Sequence, residues 1–432
     1  MYPAGERVII FPGTMARLVQ KPYPLTAFLL APAWHVKCVQ RPNVIKHEIV
    51  KAMKSKSGLV LMALALLAGK NWAMAQPTLG IAQTNSGAIL FWSANAGGTN
   101  GVLQSAAALN SPNWVQATDV ATAPYGSCTA VAVGNCSSAQ FFRLALVPPA
   151  PDGMALVPAG SFTMGDTLDG DGDAGPVNVY VSDYYMDTNL VSYSQWQTVY
   201  SCATNVGYEF DDAGSGKNNA AGQPVQTINW YDAVKWCNAR SQQAGLTPIY
   251  YTDAGLTQVY MAGQVTNPFV NWTANGYRLP TEAEWEKAAR GGLSDQRFPS
   301  GLTISESQAN YEADPGDFSY DLGPYPGYNT NFDTGGEPYT SPVGYLAPNG
   351  YGIYDMAGNL WEWCWDLYAT PYGQPTTNNP TGPTSVPYAV SRVLRGGNWD
   401  ANAWYARCAH RIDDLDPGYG SNLVGFRCVR EY

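Results

Sequence analysis

Three stretches near residue 100, GAILFWSA (87–94), NWVQAT (113–118) and QFFRLAL (140–146), carry short runs of β-branched and aromatic residues between Gly, Asn and Ser clusters. That pattern predicts small strands, with no helical period among them. Further on the period changes. In NWYDAVKWCNARSQQAG (229–245), Trp230, Val234 and Cys237 fall on one helical face and Asn229 stands where an N-cap belongs. In PTEAEWEKAARGG (280–292), Thr281 and Glu284 form a capping box after Pro280, and Gly291 ends the helix. SYSQWQTVY (192–200) is a third, weaker helix. The rest is turn-punctuated and rich in Gly, Asn, Asp, Pro, Tyr and Trp.

These elements divide the chain. Residues 76–147 read as a small all-β domain, and VPPAPDG (147–153) as its boundary, with a linker at 148–153. Residues 154–432 read as an α+β domain of low regular secondary structure, held by loop packing and aromatic clusters. Upstream, MKSKSGLVLMALALLAGKNWAMAQ (53–76) has the three parts of a secretory signal peptide at 53–75: Lys54 and Lys56, an apolar core from Leu59 to Ala68, and Ala73-Met74-Ala75 before Gln76. A membrane anchor is the alternative reading of the same run. Residues 1–52 read as a non-native upstream extension or a disordered segment.

Charge then narrows the partners. Residues 1–75 hold ten Lys+Arg against two Asp+Glu, which leaves 24 − 10 = 14 against 34 − 2 = 32 in the remainder. So acidic a body, with Lys217, Lys235 and Lys287 as its lysines, is unsuited to nucleic acid or an anionic membrane. The signal predicts a secreted, periplasmic or cell-surface protein, hence an oxidising compartment. Downstream of it lie seven cysteines, an odd number, and one histidine, His410, so a multi-histidine metal site is excluded by counting. Cys128 and Cys136 are placed to staple one loop of the β domain.

Six motifs in order, MALVPAGSFTMGD, NWYDAVKWCNAR, GYRLPTEAEWEKAARGG, TSPVGYLAPNGYGIYDMAGNLWEWCWD, RVLRGGNW and GFRC, make 154–432 resemble the formylglycine-generating enzyme family, or sulfatase-modifying factor domain. The resemblance implies a C-type-lectin-like fold, structural calcium and an extended groove. In YDMAGNLWEW, Asp355 and Glu362 bracket a Gly-Asn turn; by resemblance their side chains and the carbonyls of Gly358 and Leu360 would hold calcium. A second ion would use Asn310 and the carbonyl of Tyr311, with Asp333 as an unaligned downstream partner. DGDGD (169–173) lacks the rest of an EF-hand pattern and reads as a solvated acidic loop. The resemblance also implies a Cys237–Cys428 disulfide. Cys364 and Cys408 are the next pair by default, because the family's partner for Cys408 lies in the EWEKAARGG helix, which here has no cysteine. Cys202 is left over.

Enzymes of this family hold copper(I) on two cysteines between the RGG and RCA elements, since copper(I) prefers soft thiolates. Here Asn398 to Arg407 contains no cysteine, and Ala401, Asn402 and Ala403 stand in that stretch. Copper is therefore not expected. Ser300 also replaces a tryptophan usual in the family. Trp399, Trp404, Tyr405, Arg407, His410 and Arg411, with Tyr419 and Asn422, remain as groove candidates, suited to peptide, protein or glycan ligands through stacking and hydrogen bonds. The expectation is a binding module that keeps the scaffold without formylglycine synthesis. One alternative is an active enzyme using Arg407, Arg411, Asp413 and Asp414. The other is a retroelement-diversified display protein, since Asp400 to Leu423 is rich in Asn, Asp, Tyr and Ser.

Overall fold

This computed structural model describes residues 150–431 except 171, 173, 371, 373–376 and 387–390, together with the backbone of the strands before residue 150. Two units divide between Pro149 and Ala150, inside the expected linker. In the first, a four-stranded antiparallel sheet runs Leu79–Thr84, Gly87–Ser93, Cys128–Gly134, Thr122–Tyr125. A second sheet contains Phe141–Val147 between Arg7–Ile10 and Asn100–Ala106. The expected strands are therefore present. The sheet also takes in Arg7–Ile10 and Met62–Ala65, from stretches read as upstream extension and signal core. A short apolar run has the residues to pair with an open sheet edge, whichever role it serves. The Cys128–Cys136 pairing lies outside the described side chains.

In the second unit, helix α1 (Tyr193–Thr204) starts at Ser192, whose hydroxyl accepts the Gln195 N–H at 3.2 Å. Helix α2 (Trp230–Gln243) starts at Asn229, whose side chain accepts from Asp232 N at 2.9 Å. Helix α3 (Glu282–Arg290) has the Thr281/Glu284 capping box and ends at Gly291 with φ 57°. The Trp196 and Trp236 rings, centroids 5.8 Å apart and nearly parallel, join α1 to α2.

Sequence patterning gave α2 one apolar face, yet Trp230 through Ala239 are all buried. Its polar residues are met internally: Asn238 accepts from Ile249 N and Tyr250 N and donates to the carbonyls of Tyr250 and Tyr260, while Lys235 pairs with Asp232 at 3.0 Å. Helix α3 goes further, with all nine residues buried, five of them charged: Glu282, Glu284, Glu286, Lys287 and Arg290. Glu284 pairs with Arg278, Glu282 with Arg411, and Glu286 with both Arg290 and Arg395. Lys287 donates to the carbonyls of Gly160 and Val181, and burial pushes its ammonium down to about 7. A carboxylate or guanidinium taken into a core is costly unless a partner and hydrogen bonds satisfy it.

Against α3 lies a sheet ordered Arg411–Ile412, Arg392–Arg395, Trp361–Leu367, Val424–Gly425, the last pair parallel. A three-stranded sheet joins Met154–Val157, Tyr184–Asp187 and Val429–Arg430, bringing the two ends of the domain together. Beside it the Cys237 and Cys428 sulfurs stand 3.6 Å apart, as free thiols. Cys364 and Cys408 are likewise free, both within the main apolar cluster, so the Cys364–Cys408 bond expected by default is not formed. Cys202, the residue left over, is exposed on α1.

Candidate functional site

The strand ending at Arg395 hands the chain to Gly396 and Gly397, with φ 96° and 75°. A β-carbon on Gly397 would meet the Ala406 backbone at 3.1 Å, so the loop closes on itself here. Its two halves are pinned from outside. Trp399 N donates to the Asn359 carbonyl at 3.0 Å, and Glu312 N to the Ala401 carbonyl at 3.0 Å. Ala403 and Ala406 are buried against Phe298, Ile304, Ala309, Tyr311 and Ala357. Of the residues that stand where thiols would be needed, Ala403 is filled in by apolar packing, while Ala401 and Asn402 are half-buried.

The groove candidates separate. Trp399 is a core residue, 2% exposed, wedged between Tyr328 and Tyr339 with its indole N–H on the Asn422 carbonyl. Arg411 is buried too, donating Nε and Nη2 to the two carboxylate oxygens of Glu282 at 2.6 and 2.7 Å. Both are removed from the groove list: an indole and a guanidinium whose partners lie inside the fold have nothing left to offer a ligand. Of the alternative acidic pair, Asp414 is exposed and Asp413 half-buried, and Tyr419 stands out into solvent.

Trp404, Tyr405, Arg407 and His410 come together, joined by Trp361 at the start of its strand. The Tyr405 and His410 rings meet edge-on at 5.0 Å, and Trp361 lies 6.1 Å from each. The Arg407 guanidinium sits 3.7 Å over the Trp404 ring, with Nη2 3.1 Å from His410 Nδ1. Its Nη1 pairs with Asp169 at 3.1 Å, and Asp169 also takes Arg297 Nε at 2.9 Å. The acidic run expected to be solvated therefore supplies, in Asp169, the buried counter-charge of this cluster. Tyr405, 38% exposed, and the half-buried Trp404 present it to solvent. Sequence reasoning missed Trp361 and Asp169, because Trp361 read as part of a metal loop and Asp169 has no local partner.

No reactive sulfur stands here. Cys408, just past the loop, is wholly buried, its N–H on the Arg297 carbonyl, and burial pushes its thiol up to about 12. Burial likewise raises Cys364. A thiol held protonated in apolar surroundings is a poor nucleophile and a poor metal ligand.

The expected calcium set does not fit at its key carboxylate. Glu362 accepts Arg427 Nη2 on Oε1 at 2.7 Å, and both Arg427 Nε and Trp285 Nε1 on Oε2 at 2.7 and 2.9 Å. A guanidinium serves that carboxylate as its cation. Asp355 accepts the Gly344 N–H at 2.8 Å. Gly358 bridges to Asn310, whose carbonyl is taken by Asn359 N at 2.7 Å and whose side chain donates to the Tyr339 carbonyl. The Tyr311 hydroxyl donates to Asp321 at 2.5 Å, and Leu360 is buried beside Trp399. Among the described residues no group of three or more His, Cys, Asp or Glu could hold a metal ion.

The family described as sulfatase-modifying factor enzyme 1-like domain matches residues 144–432. The chain is 32% identical over 301 residues to formylglycine-generating enzyme of Bos taurus, covering 66% of this chain and 76% of that protein. It is 33% identical over 285 residues to chaperone protein LppX of Paenibacillus barcinonensis, 63% of this chain and 89% of the relative. Serine/threonine-protein kinase pkn1 of Chlamydia pneumoniae is 31% identical over 278 residues, but only 38% of that protein is covered. Among solved structures, Treponema denticola variable protein 1 is similar, at 26% identity and a TM-score of 0.49, covering 72% of this chain and 99% of that one.

Proposed function

The chain belongs to the sulfatase-modifying factor family, and from that premise we propose that residues 154–432 act as an exported binding module for a peptide or glycan rather than as a thiol oxidase. The observation that carries this reading is the sulfur-free loop 398–407, with Ala403 and Ala406 packed shut and Cys408 buried behind it. Copper(I) chemistry on this scaffold needs two neighbouring thiolates. What the loop offers instead is a fixed aromatic surface, Trp404 and Tyr405, stiffened from beneath by Arg407 and Asp169. Rigid aromatics with few rotatable bonds suit recognition, because little entropy is lost on binding.

The test is direct. Purified protein is incubated with copper(I), oxygen and a peptide carrying a sulfatase-type cysteine motif, and products are read by mass spectrometry. No formylglycine is expected; its formation would refute the reading. In a glycan and peptide array, ligands retained by the protein are expected to be lost with Tyr405→Ala.

A further inference from the structure

The connection between the strands Trp361–Leu367 and Arg392–Arg395 does not stay at the surface. Thr377, Asn378 and Asn379 are exposed, whereas Pro380 and Gly382 are buried. The segment is held at two points. At its outer end Tyr180 N donates to the Thr377 carbonyl and Asn379 N to the Tyr180 carbonyl, each at 2.7 Å, while Asn379 Oδ1 accepts Ser182 N at 2.7 Å. At its inner end Gly382 lies directly on Asp366. A β-carbon there would meet Asp366 Cβ at 2.8 Å and Oδ1 at 2.9 Å.

The two oxygens of that carboxyl have different surroundings. Oδ2 accepts the N–H of Glu282, the first residue of α3, at 2.8 Å. Oδ1 is buried and has no hydrogen-bond partner among the described residues. The charged groups around it supply none. Glu282 and Glu284 oppose its ionisation, and Arg411, which favours it, gives Nε and Nη2 to Glu282 and Nη1 to the Ala369 carbonyl. Arg392 donates to the carbonyls of Trp365 and Thr266, and Cys364 on the same strand is kept a thiol by burial. A neutral carboxyl tolerates a glycine packed on its spare oxygen. A carboxylate in the same place holds charge that neither a donor nor water meets, which is costly. Burial, then Glu282, push Asp366 up to about 7, so both forms are reached near neutral pH.

We propose that Asp366 and Gly382 form a pH-sensitive latch: the neutral carboxyl keeps residues 377–382 seated on the sheet, and ionisation lifts them so that water reaches Oδ1. The latch goes beyond the binding-module reading and does not depend on it.

Amide hydrogen exchange of the full chain, read by NMR between about pH 5 and about pH 9 and corrected for the intrinsic rate at each pH, tests it. The amides of Tyr180 and Asn379 report seating, because they make the outer bonds. Those of Arg278 and Val429, which bond to each other's carbonyls elsewhere in the domain, serve as the reference. Protection at Tyr180 and Asn379 is expected to fall at least about tenfold across this range, relative to the reference pair. Asp366→Asn keeps an acceptor for the Glu282 N–H and cannot ionise, so its protection should stay level. Gly382→Ala puts a β-carbon against Asp366 at a φ of 76°, so the two amides should be unprotected at every pH while the reference holds. Protection that is constant in the natural protein, that falls equally in Asp366→Asn, or that falls only in step with the reference pair overturns the proposal.

Discussion

Arg427 and Glu362 form a buried two-pronged ion pair, 2.7 Å at each contact, between the last motif of the chain and the central sheet. Trp285 of α3 adds a third donor to the same carboxylate. One acid thus ties helix, sheet and C-terminus, at the place where the resemblance puts a calcium ligand.

Breaking this pair from one side strands a charge in the core. Glu362→Gln is expected to cost about 3–5 kcal/mol in urea unfolding. Replacing both partners with apolar residues, Glu362→Leu with Arg427→Met, should recover much of that loss. A double variant as unstable as the single one would show that the carboxylate has another essential partner.

Chelation follows from the same contact. With a guanidinium serving Glu362, removing calcium with EDTA is expected to move the melting temperature by less than about 2 °C, since only a ligand that binds the folded state shifts it. A fall well beyond that, restored by added calcium, would place an ion in the fold.

Burial separates two tryptophan-loop residues that look alike in sequence. Trp399→Ala should destabilise by about 3–5 kcal/mol, as for a large core aromatic. Tyr405→Ala, at 38% exposure, should change stability by no more than about 0.5 kcal/mol while removing ligand binding. Chemical unfolding of the two variants checks both figures.

Asp366 is buried and pushed up to about 7, first by burial and then by Glu282. Its folded form therefore holds a proton that the unfolded chain releases near pH 4, and stability falls as pH rises from about 4 to 7. Asp366→Asn removes that slope, so the variant should gain on the natural protein steadily across this window. Parallel stability–pH curves for the two would contradict it.

The Cys237 and Cys428 thiols, 3.6 Å apart and 191 residues distant in sequence, are poised to be joined. Oxidation is expected to stabilise the domain by about 2–5 kcal/mol. The gain should vanish with reductant and in Cys237→Ser, as read by melting temperature.

Local chemistry wrote much of this protein legibly. The caps at Asn229 and Thr281 and the stop at Gly291 depend on neighbours a few positions away, and each sits where the pattern put it. The six motifs identified the scaffold, and the missing thiols of 398–407 are a fact of composition that no folding could alter. Burial of charge was not legible. Glu282, Glu286 and Arg411 look like surface residues until partners more than a hundred positions away close on them. The same holds for Asp169 beneath Arg407, for Trp399 inside rather than on the groove, and for Arg427 on the acid expected to hold calcium. A side chain's own chemistry fixes what it can bind; only the packed chain decides which partner reaches it first, because a buried charge must be matched where it lies.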